Sequence, residues 1–180
     1  IMSQLGLWHE KTGKSPYTNQ TGIFKTYNIS GAAFMIKTQL FEQLGFFDEY
    51  YFFCPEDIAL STVLNKLGYF CYVNASAEVI HFEGASGGKH ISQIQTATMP
   101  AGEKGTIRFL AGSSSVSYIL LTCFTCIMAS LRSLKYRLKS KTSGDNASII
   151  SKANRNVAAA LLTKKTPKEI FVKYYGRIKR

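Results

Sequence analysis

A chain of 180 residues is long enough to bury a core, and 46% hydrophobic with 13% aromatic content excludes an intrinsically disordered chain. The net charge of +11 is uneven: residues 1–104 carry 7 Lys and Arg against 9 Asp and Glu, a net of −2, whereas residues 105–180 carry 15 against 2, a net of +13. The expected organisation is therefore two regions, 1–104 and 105–180, the second seeking a negative partner such as anionic lipid.

In chain order, HEKTGKSPYTNQTGIFKTYN (9–28) is polar and rich in turn formers and reads as a surface loop. Its predecessor, starting at Ile1, has no basic stretch ahead of an apolar run, so no secretory signal is expected and the chain reads as a piece of a longer protein. ISGAAFMI (29–36) suits a buried strand, with Gly31 and Ala32 leaving room for close approach to the backbone. Thr38 is placed as the cap of a short helix ending at Gly45. An aromatic loop, FFDEYYFFCP, follows, and Pro55 opens a helix over Glu56–Leu67 with Ile58, Leu60, Val63, Leu64 and Leu67 at helical spacing, stopped by Gly68. Tyr69–Val73 and Ala77–Phe82 read as strands around the turn Asn74-Ala75-Ser76. This succession predicts an α/β or α+β arrangement with an acidic pair at a helix start.

After Gly84-Ala85-Ser86-Gly87-Gly88 the chain reads as a polar linker to about Gly105. Phe109–Leu131 is free of charge for 23 residues, long enough to cross a bilayer, although its serines and threonines equally suit an interfacial helix. Five cations between Arg132 and Lys141 then form a flank suited to an anionic membrane surface. Residues 142–148 read as a polar break and 149–180 as one or two short basic helices, with Thr166 as cap and Pro167 in the first turn. The four cysteines lie in apolar surroundings, which favours buried thiols in a reducing compartment, Cys123 and Cys126 included.

Ser30-Gly31-Ala32, Gly45-x-Phe47-Asp48-Glu49, Phe52-Phe53, Glu56-Asp57-x-x-Leu60, Leu67-Gly68-Tyr69 and Val79-Ile80-His81 with Gly84-Ala85-Ser86 follow one another in register. Over about residues 28–88 this order resembles the C-terminal half of the catalytic domain of family 2 glycosyltransferases of the GT-A type, in the rhamnosyltransferase-like branch of bacterial surface polysaccharide synthesis. The resemblance implies half of a Rossmann-like GT-A domain followed by a helical, membrane-associated tail, and inverting sugar transfer from a nucleotide-sugar donor to a lipid-linked saccharide acceptor. It implies Asp57 as general base and Glu56 as the neighbour that orients the acceptor or tunes the charge. Ser30 and Gly31 would contact a sugar, and Asp48 and Glu49 would hold the loop or the acceptor. His81 would join Mg²⁺ or Mn²⁺ gripping the diphosphate. The implied place is the cytoplasmic face of the cell membrane, peripheral or with a single C-terminal membrane segment.

Elementary chemistry is compatible with this. Glycosyl transfer needs a base for the acceptor hydroxyl and an electrophile for the leaving diphosphate. A carboxylate at a helix N-terminus is favoured in its charged form by the helix dipole. The same residues admit plainer roles: first-turn capping acids for Glu56 and Asp57, strand packing for Ser30 and Gly31, a structural histidine for His81. The chain departs from the family at Ala59, where the branch has a second Asp. Its only Asp residues are Asp48, Asp57 and Asp145, so it holds no Asp-x-Asp, and the nucleotide-binding half is expected outside it. The alternative reading is a non-catalytic basic module binding membrane or nucleic acid. The tail lacks aromatic interleaving and any nucleic-acid motif, so no nucleic acid is expected.

Overall fold

The computed structural model describes residues 20–80, 93–143 and 145–178, and the chain divides into two compact units. One unit holds the described residues 20–46 and 57–80, the other 47–56 and those from 93 onward. The boundary expected between 104 and 105 instead falls inside a continuous helix.

In the first unit, β1 (Ile23–Thr26) pairs antiparallel with β2 (Cys71–Asn74), Ile23 opposite Asn74 and Thr26 opposite Cys71. Aromatic and β-branched residues meet across this pair, Phe24 opposite Val73, as a pleated ribbon favours. The Lys25 ammonium lies 3.2 Å from the centre of the Phe70 ring. Between the strands come α1 (Thr38–Gln43) and α2 (Glu56–Lys66). Leu60 and Leu64 of α2 are buried, as are Thr26 and Cys71. Gly68, just past α2, has φ +82°, a left-handed conformation that a β-carbon disfavours, which is why the helix stops there.

Several expectations change here. The polar run 9–28 contributes β1, because a two-stranded ribbon half exposed to water accepts a polar sequence. Residues 29–36 form no strand, and neither do 77–80; the remainder of the run to Phe82 lies outside the described residues. Thr38 is the first helical residue, with Lys37 at the capping position and no side-chain cap. The expected α/β arrangement is thus, among the described residues, mostly helical with one small two-stranded sheet.

The second unit is helical: α3 (Gln95–Ala111), α4 (Ser115–Ser143), α5 (Asp145–Leu161) and α6 (Pro167–Tyr175). The expected linker to Gly105 is therefore most of α3. Gly112 (φ +55°) ends it, so the uncharged run from Phe109 is split and its apolar helix begins at Ser115. Ser114 caps α4, its Oγ accepting from the Ser117 N–H at 3.2 Å. Thr166 caps α6 as the sequence suggests. Its Oγ1 accepts from the Glu169 N–H at 3.3 Å, while the Glu169 carboxylate accepts from the Thr166 N–H at 2.8 Å. The Thr166 N–H and the Thr166 hydroxyl, which donates to the same carboxylate oxygen at 3.0 Å, favour charged Glu169 and hold its carboxyl below the usual range.

Small residues set the helix packing. Ala97 and Ala101 of α3 meet Ala160 of α5 and Ile170 and Tyr174 of α6, while Ile107 meets Ala129, Val157 and Leu161. The buried Lys104 ammonium donates to the carbonyls of Leu161 (3.3 Å) and Thr163 (2.7 Å), a cation on the C-terminal end of α5. Asn156 donates to the Thr96 carbonyl at 2.8 Å and ties α5 to α3. Among the cysteines, Cys71 is buried but Cys54 and Cys123 are exposed, which corrects the expectation of buried thiols. Cys126 is half-buried, and burial pushes its thiol up.

The aromatic loop 47–56 packs on α3 through glycines. A β-carbon on Gly105 would fall 2.6 Å from the Cys54 carbonyl oxygen, and one on Gly102 would fall 3.0 Å from that of Phe53. Tyr51 meets Phe109 edge-on and Phe52 meets Phe171 of α6, with centroids 6.3 and 5.2 Å apart. Gly105→Ala is expected to lift the loop and cost about 1–3 kcal/mol by overpacking, read as a lowered urea midpoint.

Candidate active site around Asp57

Three residues one helical turn apart on α2, Asp57, Ser61 and Asn65, hold three alternate residues of the incoming segment. The Asp57 Oδ2 accepts from the Gly31 N–H at 2.9 Å, and the Ser61 Oγ accepts from the Ile29 N–H at 3.1 Å. Asn65 Nδ2 donates to the Tyr27 carbonyl at 2.8 Å. The geometry is commensurate: four helical residues rise about 6 Å and two extended residues about 6.6 Å. The helix face replaces a neighbouring strand, and the run from Ile29 therefore needs no sheet partner. Ser61, fully buried, also donates to the Asp57 carbonyl at 2.8 Å.

Asp57 is half-buried, and its other oxygen, Oδ1, accepts from the Ile58 N–H at 2.8 Å. Each carboxylate oxygen has a second lone pair, so the group keeps acceptor capacity beyond its two backbone bonds. Ser30 and Gly31 are exposed beside it. A β-carbon on Gly31 would lie 3.4 Å from Asp57 Oδ2, close enough to cover that oxygen without a clash.

Of the residues singled out from the sequence, the structure thus brings Gly31 and Asp57 together, 26 positions apart. Glu56 turns back on its own loop, its Oε2 accepting from the Cys54 N–H at 2.6 Å. Asp48 closes a turn, its Oδ1 accepting from the Tyr50 N–H at 2.9 Å, and Glu49 is exposed. Burial raises the Tyr50 and Tyr51 phenols above their usual range. His81 and Gly84-Ala85-Ser86 lie outside the described residues. Among the described residues no three His, Cys, Asp or Glu side chains gather as a metal site, so the donor set on view does not itself hold a divalent cation.

Ser61 and Asn65 were not singled out from the sequence. Their signal is faint but present: polar residues four and eight positions after Asp57, each directly following a buried leucine, Leu60 and Leu64.

The chain is similar to two curated proteins, both N-acetylglucosaminyl-diphospho-decaprenol L-rhamnosyltransferase from Mycobacterium tuberculosis, one of strain CDC 1551 / Oshkosh and one of strain ATCC 25618 / H37Rv. Each is 34% identical over 87 residues, which is 48% of this chain and 27% of the relative. The chain therefore spans about a quarter of the length of the curated relatives it matches. No family model matches it, and no solved structure does. Over about half its length, then, the chain is related to a glycosyltransferase.

Ser61→Ala leaves the Ile29 N–H without its acceptor. The expected loss is about 1–3 kcal/mol of unfolding free energy in urea, with faster amide exchange at Ile29 and Gly31 than elsewhere in the unit.

Proposed function

We propose that this chain supplies the acceptor-binding and catalytic half of an inverting glycosyltransferase of the GT-A type, family 2. The Asp57–Gly31 bond carries the reading: it joins two pieces of the motif order that resembles this family, and it leaves a carboxylate beside an exposed, side-chain-free backbone. The similarity to a rhamnosyltransferase supports the same class.

In this reading Asp57 takes the proton of an acceptor hydroxyl as that oxygen attacks the anomeric carbon of a nucleotide-sugar donor. The Gly31 and Ile58 N–H groups fix the carboxylate's orientation, so that it does not have to be ordered during the reaction. Ser30 and Gly31 line the approach of a sugar. Glu56 and Asp48 act through the aromatic loop by closing its turns, and Glu49, exposed on the same loop, would help to bind the acceptor. The donor's binding half belongs to the complete protein, and a lipid-linked saccharide at the cytoplasmic face of the cell membrane is the acceptor class. Mg²⁺ or Mn²⁺ would neutralise the leaving diphosphate, with His81 as one ligand and the others outside the described residues.

Two measurements on the complete protein test this. Asp57→Asn is expected to lower sugar transfer by about 10²–10⁴-fold, the range of a lost general base, with donor affinity retained; transfer at the original rate sinks the base assignment. His81→Ala is expected to raise the Mn²⁺ concentration needed for half-maximal donor binding. An unchanged Mn²⁺ titration makes that histidine structural.

A further inference from the structure

Helix α4 presents one face to α5 and leaves another bare. Val116, Leu120, Ile127, Leu131, Leu134 and Leu138 follow one another at spacings of three, four or seven, a single stripe, and each is more than half exposed. Lys135 and Arg137 are exposed on its two flanks, by the 100° step of the helix. Over residues 105–180 cations outnumber acids 15 to 2. An apolar stripe flanked by cations is complementary to an anionic lipid surface, acyl chains below and headgroups beside.

Length and apolar character also allow the stretch Ser115–Ser140 to cross a bilayer. The packing of α5 argues against crossing. Cys126 Sγ lies 3.7 Å from the Ala158 carbonyl oxygen. Ser133 and Ser151 exchange hydroxyl-to-carbonyl bonds of 2.9 and 2.8 Å. These pairs set one antiparallel register, which carries Arg155 level with Ala129, close to the midpoint of the apolar stretch. Arg155 is exposed, and Asp145, Asn146 and Lys152 ride on the same helix. A crossing α4 would drag this exposed guanidinium to the centre of the hydrocarbon, where charge is least tolerated. A helix lying in the plane of the interface keeps α5 in water.

We propose that α4 is an in-plane anchor for an anionic bilayer, its leucine stripe immersed and Lys135 and Arg137 among the headgroups. The proposal rests on α4 and α5 and is independent of sugar transfer: a transferase reading that fails leaves it standing, and the reverse.

The test is flotation of the full chain with vesicles of phosphatidylcholine alone or with phosphatidylglycerol added. Binding is expected to the phosphatidylglycerol vesicles, to weaken at least fivefold in high salt, and to be reversed by alkaline carbonate. The double variant Leu131→Glu/Leu134→Glu is expected to lose at least tenfold in binding while keeping its helical circular dichroism. If that variant unfolds, a second measurement decides. In a Cys54→Ser background, a polarity-sensitive dye on Cys123, which is exposed beside the stripe, is expected to shift to the blue on phosphatidylglycerol vesicles. Carbonate-resistant association overturns the proposal in favour of a span. Salt-stable dimers that the Leu131→Glu/Leu134→Glu variant dissolves, without vesicle binding, overturn it in favour of a second copy. Binding indifferent to both the stripe and lipid charge overturns it outright.

Discussion

The first unit depends on a match between two repeats. A helix advances by about the same distance in four residues as an extended chain does in two, and Asp57, Ser61 and Asn65 use this to hold Gly31, Ile29 and Tyr27. Without that helix face the backbone groups of 27–31 would need a strand beside them, which the two-stranded ribbon does not offer. The same bonds decide where Asp57 points. One carboxylate thus completes the backbone ladder through Gly31 and accepts from Ile58 at its other oxygen, keeping acceptor capacity beyond these two bonds.

The second unit is organised by side chains that are small or absent. Alanines let α3, α5 and α6 approach closely, and Gly102 and Gly105 let the carbonyls of the aromatic loop rest on α3. Where helices are this close, polar ends need partners inside the packing. Lys104 supplies one at the end of α5, at the entropic cost of ordering a long side chain. Two of the loop's acids then serve local geometry: Asp48 and Glu56 each close a turn on a backbone N–H two residues away.

The basic tail and the glycosyltransferase resemblance suit one another. In the proposed function a lipid-linked saccharide would be met at a bilayer surface, where the proposed in-plane α4 would leave the polar helices in water. The apolar stripe of α4 and the polar character of α5 are opposite consequences of one antiparallel pair, since a helix buried on one side by a charged neighbour has only its other side for lipid.

The sequence alone determined the motif order that resembles a family, the acidic helix start at Glu56, the capping of α6 by Thr166, the stop at Gly68 and the charge division between the regions. These are local or compositional facts, carried by a few adjacent residues. Only the tertiary structure decided that 29–36 is not a strand, that β1 hides in a polar run, and that α3 fills the presumed linker. It alone joined Gly31 to Asp57, revealed Ser61 and Asn65, and set charged α5 beside α4. Each of these is fixed by a partner distant in the chain, and periodicity within a segment reports which face is apolar, not what comes to cover it.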